Sequence, residues 1–150
     1  MHRQQGRDPQ SIHDIATEAV AARRALMAAT RENLAALPMA DRVELNNVLS
    51  EIARRGCFDS APLGAADAII ARLQAAIARA GGAPVKRWTE EGHGYHVGGT
   101  ETGQRIEQIL DALRLFRRHA VAVADRLEAE RQLARHRGPT AGGGAAGDSP

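Results

Sequence analysis

Residues 81–99 read GGAPVKRWTEEGHGYHVGG, and they interrupt a chain whose other apolar residues follow helical spacing. Two short runs, Val85–Trp88 and Tyr95–Val97, flank the glycine-bearing turn Glu90–Gly94, which is the pattern of a small β-hairpin. A pair of glycines at each end of this stretch is typical of places where a helix stops. The sequence therefore predicts a hairpin within Pro84–Val97, set between helices.

Three helices are predicted before the hairpin, because apolar residues recur there at three- and four-residue steps. Asp8 and Pro9 can cap and open the first helix, with Ser11 as a second candidate cap. Pro38 biases the residue before it away from helix. Asp41 and Glu44 have the spacing of a capping box at the start of the second helix. The predicted bounds are near Ser11–Leu37, Asp41–Arg55 and Gly64–Ala80.

A fourth helix is predicted after the hairpin, over residues 100–137, with a heptad-like apolar stripe. A stripe of this size is not tolerated on the surface of a monomer, so the helix is predicted to pair two copies of the chain. The expected fold is mainly α: a winged helix-turn-helix-like three-helix core with a small β-hairpin, plus a long C-terminal helix. The expected dimer interface consists of Ile106, Ile109, Leu113, Phe116, Val123 and Leu127.

Composition agrees with packed helices. Hydrophobic residues make up 43% of the chain but aromatic residues only 3%, so the core must be built mainly from aliphatic side chains. The chain is divided into a flexible N-terminus (1–10), a winged-helix-like domain (11–99), the dimerisation helix (100–137) and a Gly- and Ala-rich disordered tail (138–150). No membrane span or signal-peptide core is visible, so the protein is expected in the cytoplasm.

A succession of residues carries a family resemblance: the helix positions Asp67, Ile70, Leu73 and Ile77, the strand positions Val85 and Trp88, and the wing positions Gly92, Gly94, Tyr95 and Val97. Over about residues 40–97 this succession resembles the OmpR-type winged helix-turn-helix domain of bacterial response regulators. In that family the recognition helix reads V-D-x-x-I-x-x-L-R-x-K-I, and the wing ends in G-x-G-Y-x-F or G-x-G-Y-x-L.

The resemblance implies a DNA-binding transcriptional regulator that acts as a dimer. The third helix would enter the major groove, and the hairpin would touch the minor groove or the DNA backbone. Exposed Ala65 and Ala68 would be placed to touch thymine methyl groups. The candidate DNA-contact residues are Arg72, Arg79, Lys86 and Arg87.

Charge leaves two other hypotheses open. The chain has 20 basic and 18 acidic residues, a net charge of +2, whereas a nucleic-acid footprint is normally stronger. Glu90 and Glu91 at the hairpin turn would also repel phosphates. The second hypothesis is therefore a winged-helix-derived protein-interaction module without DNA binding. The third is a helical adaptor or chaperone that works through its last helix.

Enzymatic and cofactor sites are not predicted. His93 and His96, even with His13 or His119, make a poor zinc signature, and no nucleophile elbow, phosphate loop or small-molecule site is evident. Cys57, the only cysteine, is interpreted as a small semi-buried hydrophobic residue. The only tryptophan and tyrosine, Trp88 and Tyr95, are interpreted as pinning the hairpin onto the helices.

Overall fold

The computed structural model describes residues 11–55 and 60–138. The predictions for residues 1–10, for Cys57 and for the tail from residue 139 onward fall on residues outside these ranges. The mainly α fold is confirmed. In chain order the elements are α1 (Ile12–Asn33), a 3-10 helix (Leu34–Ala36), α2 (Met39–Arg55), α3 (Ser60–Arg79), β1 (Val85–Trp88), β2 (Gly94–Val97) and α4 (Glu101–Gly138).

The first helix begins where the sequence predicts. The hydroxyl of Ser11 caps α1 by accepting a hydrogen bond from the backbone N–H of Asp14 at 3.1 Å. After α1 a 3-10 helix carries the chain to an extended Leu37, immediately before Pro38. The guanidinium of Arg42 donates to the carbonyl oxygen of Leu37 at 2.9 Å, which fastens the corner between α1 and α2.

The starts of α2 and α3 differ from the predictions. Because α2 begins at Met39, directly after Pro38, Asp41 lies inside its first turn, and its N–H bonds the carbonyl of Pro38. The predicted capping box of Asp41 and Glu44 is therefore wrong. Similarly, α3 begins at Ser60 and not near Gly64. Its first turn accommodates a proline, because the first N–H groups of a helix have no partner within the helix.

The last helix lies at the centre of the packing, against both α1 and α3. It runs antiparallel to α1, because the end of α1 meets the beginning of α4. The side-chain amide of Asn33 donates to Oε1 of Gln108 at 3.1 Å, and farther along, Oε1 of Glu18 lies 3.9 Å from Nδ1 of His119. A single core spans all four helices. Its largest fully buried side chains are Leu26, Leu37, Leu45, Ile52, Ile69, Leu73, Ile106, Ile109, Leu113, Phe116 and Val123.

This packing removes the basis of the dimer interface predicted on α4. The prediction assumed that the first three helices form a closed core and leave the α4 stripe exposed, whereas α1 and α3 cover the stripe within one chain. The helices before and after the hairpin therefore share one core, and α4 is part of the same domain as residues 11–99. Of the six predicted interface residues, Leu127 is half-buried. The other five are at most 1% exposed: Ile106, Ile109, Leu113, Phe116 and Val123.

Within the described ranges, no helix is both long enough and apolar enough to cross a membrane. The helices bury one apolar side each and expose a polar side, as in other packed helical domains.

Two neighbouring leucines of α4 test its place in the core. Leu113 is fully buried, whereas 39% of Leu115 is exposed on the same helix. We expect Leu113→Ala to lower the free energy of unfolding by about 2–5 kcal/mol, because it leaves a cavity among the helices. The same change at Leu115 should cost less than about 1 kcal/mol. Urea unfolding of both variants measures the difference, and equal losses would contradict the packing of α4.

Candidate functional site

The segment Val85–Val97, which we call the exposed hairpin, is the part of the fold that the helices do not cover. Its two strands are antiparallel, so the predicted hairpin is confirmed, and Val85 lies opposite Val97 and Trp88 opposite Gly94. Every strand residue is exposed, and the large apolar side chains among them, on both strands, are between 46% and 62% exposed. A two-stranded hairpin gains little stability by itself in water. Because these side chains are exposed, they are available for another molecule to cover.

The strand register divides the exposed hairpin into two faces. Directly opposed residues share a face, and successive residues alternate between faces. One face therefore combines apolar residues with one cation and one aromatic ring: Val85, Arg87, Tyr95 and Val97. The other face carries Lys86, Trp88, Gly94 and His96. Each face thus presents an aromatic ring beside a positive charge.

A small residue on β2 makes room for the tryptophan. A Cβ atom on Gly94 would approach Lys86 Cε to 2.8 Å and the ring of Trp88 to 3.1 Å, so both side chains lie across that position. The ammonium of Lys86 is 4.7 Å from the ring centre of Trp88, within the range of a cation–π contact. Trp88 nevertheless remains 62% exposed. Its ring is held in place on one side and open to a partner on the other.

The hairpin turn carries a concentrated negative charge. The N–H of Thr89 donates to the carbonyl of His93 at 2.9 Å, and the N–H of Gly92 donates to the carbonyl of Thr89 at 3.0 Å. Gly92 has a φ of +93°, which an L side chain rarely adopts. Glu90 and Glu91 are exposed in this turn, and neither forms an ion pair with a residue of the described ranges.

Backbone hydrogen bonds at the end of α3 turn the chain into the hairpin. The N–H of Gly82 reaches back to the carbonyl of Ile77 at 2.8 Å, and the N–H of Gly81 bonds the carbonyl of Ala78 at 3.2 Å. This is the Schellman pattern, and Gly81 supplies its positive φ of +101°.

Thr100 ties the far end of the hairpin to the same place. Its N–H donates to the carbonyl of Gly82 at 3.0 Å, and its hydroxyl donates to the carbonyl of Ala80 at 2.7 Å. The same hydroxyl accepts the N–H of Gly103 at 3.0 Å and so caps α4. Gly82 and Thr100, which flank the exposed hairpin, are therefore hydrogen-bonded to each other. Thr100 is also bonded to Ala80 at the end of α3 and to Gly103 of α4.

The candidate DNA contacts on α3 are engaged by a buried carboxylate. Arg72 donates from Nε to Asp41 Oδ1 at 2.9 Å, and Arg79 lies 3.4 Å from Asp41 Oδ2. Only 5% of the Asp41 side chain is exposed. The cluster joins α2 to α3 and offsets part of the positive charge on α3. On the turns of α3 before Arg72, the outer side presents small exposed side chains, among them Ala65 and Ala68 as predicted.

The two candidates on β1 are placed differently. Lys86 and Arg87 are exposed, and neither forms an ion pair with the part of the chain that the structure describes. The four candidate DNA-contact residues therefore fall into two pairs. Arg72 and Arg79 are bound to Asp41, whereas Lys86 and Arg87 have no ion-pair partner in the described residues. The role of Asp41 was missed because 31 and 38 positions separate it from its partners, and no local pattern signals such a pairing.

The interpretation of Trp88 and Tyr95 as residues that pin the hairpin onto the helices is wrong. Trp88 is 62% exposed and Tyr95 is 47% exposed, so neither ring is buried against the core. Leucine, isoleucine, valine and Phe116 already fill the space between the helices, and no aromatic lid is needed. The only signal in the sequence that favours exposure is the density of charged and polar residues around these two rings.

Other chemistry in the described residues is sparse. No group of three or more His, Cys, Asp or Glu side chains in these ranges is arranged to hold a metal ion. A hydrogen bond from Arg131, and a weaker one from Gln132, lowers the pKa of the Glu128 carboxyl, on the order of 40 Å along α4 from the hairpin. Searches against protein-family models, curated proteins and solved structures found no match.

Two helical glycines test whether the base of the hairpin is closely packed. A Cβ atom on Gly103 would lie 2.0 Å from the carbonyl oxygen of Gly82, whereas a Cβ atom on Gly64 meets nothing within 4 Å. We expect Gly64→Ala to raise the free energy of unfolding by up to about 1 kcal/mol, because alanine favours helix. Gly103→Ala should lower it by about 1–3 kcal/mol, because the backbone must move. Thermal and urea unfolding measure both, and a stabilised Gly103→Ala variant would contradict the described contact.

Proposed function

We propose that this chain is a non-catalytic interaction module that contacts another protein through the exposed hairpin. The observation that carries the proposal is the exposure of Val85, Trp88, Tyr95 and Val97 on both faces of a hairpin outside the core. Apolar side chains scattered singly over a surface need no explanation, but a cluster within two short strands marks a contact site.

The residue types favour a protein as the partner. Trp, Tyr and Arg are the residues most enriched among those that dominate the binding energy of protein interfaces. Arg87 and Tyr95 lie directly opposite each other on one face of the hairpin, and Trp88 lies on the other face. A covered aromatic side chain removes roughly 150–250 Å² of surface from water. The mixed charges of Lys86, Arg87, Glu90 and Glu91 suit the polar rim of such an interface.

The closely bonded base of the hairpin supports the same conclusion. Binding by a loosely tethered segment costs conformational entropy, and a segment that is already ordered avoids part of that cost. Thr100, Gly82 and Gly103 hold the base through several backbone contacts. The Trp88 ring is additionally fixed by Lys86 and by the space above Gly94. The contact residues are therefore presented in a defined geometry before a partner arrives.

DNA binding as a winged helix is the second candidate, favoured by the exposed, unpaired cations Lys86 and Arg87 on β1. In this proposal the hairpin is the wing and α3 is the recognition helix, as in the OmpR-type domain. The arginines of α3 would have to leave Asp41 or reach DNA while bound to it. That requirement, and the two carboxylates of the turn, place DNA second.

Substitutions on the exposed hairpin test the leading proposal. We expect the double variant Trp88→Ser, Tyr95→Ser to keep the helical circular dichroism and the unfolding free energy within about 0.5 kcal/mol, because both rings are exposed. It should lose the proteins that the tagged wild-type chain captures from its own cell extract. Leu133→Ser, which removes an exposed leucine far along α4, is the matched control and should retain them. Unchanged capture by the double variant would refute the proposal.

A titration with mixed-sequence duplex DNA at several salt concentrations tests the second candidate. If Lys86 and Arg87 bind phosphates, replacing both with alanine should reduce the slope of log K against log salt by about two units. Replacing Glu90 and Glu91 with glutamine should raise the affinity, because two like charges are removed from beside the phosphates. The candidate fails if neither the wild type nor the glutamine variant binds DNA.

A further inference from the structure

We propose that the partner of the exposed hairpin is a second copy of this chain, paired edge to edge along β1. The inference rests on the proposed function, since it names the protein that the hairpin contacts. It is argued from the order of charges along residues 86–91, from the open backbone edge of β1, and from the position of Trp88 between the charges.

The charges along this segment are self-complementary. Residues 86–91 read Lys-Arg-Trp-Thr-Glu-Glu: two cations, a neutral centre and two carboxylates. When two such segments lie antiparallel about Trp88, the cationic end of each comes beside the acidic end of the other. None of the four charged side chains forms an ion pair within the described parts of one chain. Charged residues on an edge strand normally oppose pairing with a like strand, because like charges meet. With the charges in this order, opposite charges meet instead, and the two strands attract each other.

The backbone of β1 has an open edge for this pairing. The hydrogen bond from Thr89 to His93 shows that Thr89 faces β2, and inward and outward positions alternate along an antiparallel ladder. Arg87 therefore also faces β2 with its backbone groups, while those of Lys86 and Trp88 face outward. Every residue of β1 is exposed, so this edge is accessible. Antiparallel pairing about a two-fold axis at Trp88 would satisfy the outward backbone groups of Trp88 in both copies.

Trp88 would lie close to the two-fold axis. Each ring would then meet its counterpart or the Lys86 side chain of the other copy, and aromatic and cation–π contacts of this kind are favourable. Glu90 and Glu91 lie in the turn beyond β1, so they would reach the other copy through their side chains and not through the ladder. An edge of four residues is too short to bury the ~1,200 Å² typical of a stable interface. We therefore expect a weak dimer that dissociates on dilution.

Charge reversal in two directions tests the pairing. The first variant carries Lys86→Glu and Arg87→Glu, which makes both ends of the segment acidic. The second carries Glu90→Lys and Glu91→Lys, which makes both ends basic. In sedimentation velocity over about two decades of concentration, the wild-type chain should pass from monomer to dimer. Each variant alone should associate about tenfold or more weakly, because like charges meet, whereas an equal mixture of the two should form a dimer again.

A control of equal net charge separates pairing from general attraction. Arg114→Glu with Arg118→Glu reverses two exposed cations of α4 and gives the same net charge as the first variant. Its own dimerisation should match that of the wild type. Its mixture with the second variant should form much less heterodimer than the mixture of the two hairpin variants, because only one end of the segment then meets an opposite charge. The inference is overturned if the wild type stays monomeric, if the two hairpin variants do not associate when mixed, or if the control mixture associates equally well.

The outcomes also separate this inference from the proposed function. A chain that is monomeric at every concentration, but still loses captured proteins when Trp88 and Tyr95 are replaced, has a different protein as its partner. In that case only the second-copy inference fails. A chain that dimerises by the mixing test and captures no other protein supports both.

Discussion

The fold depends on the burial of one side of α4 between α1 and α3. Among the described residues, seven apolar side chains of α4 are buried, and each of the larger ones contributes roughly 1.5–3 kcal/mol by leaving water. Because α1 and α3 cover this stripe within one chain, the helices close their own core without a second chain. The Asp41 cluster with Arg72 and Arg79 then fixes α2 against α3 at the side of the bundle.

A closed helical core has a direct consequence for the hairpin. No aromatic residue of β1 or β2 is needed to complete the packing, and the backbone bonds around Gly82 and Thr100 hold the base while leaving both faces exposed. The buried core and the exposed apolar cluster are therefore supplied by different parts of the chain. This separation explains how an exposed cluster of Val85, Trp88, Tyr95 and Val97 can coexist with an apolar core that lacks tryptophan and tyrosine.

The sequence predicted the elements well because local patterns determine them. The helical periodicity, the cap at Ser11 and the change of period at Gly81 each act over a few residues, and the hairpin lies where it was expected. The packing partners were predicted less well. A stripe on α4 shows that one side must be buried, but not whether α1 or a second copy covers it. Likewise, the exposure of Trp88 is a property of the tertiary fold, and the hydrogen bond from Thr100 to Ala80 at the base of the hairpin spans 20 positions that no periodicity encodes.

The central claim is that the exposed hairpin presents an open aromatic ring outside a self-sufficient core. Trp88 is the only tryptophan, so its fluorescence reports on this position alone. Acrylamide quenching in a dilute solution of the whole chain measures access to the ring most directly. A quenching constant close to that of an exposed tryptophan peptide, falling as the protein concentration rises or a partner is added, is the predicted result. A ring that is shielded in the dilute folded chain would contradict the claim.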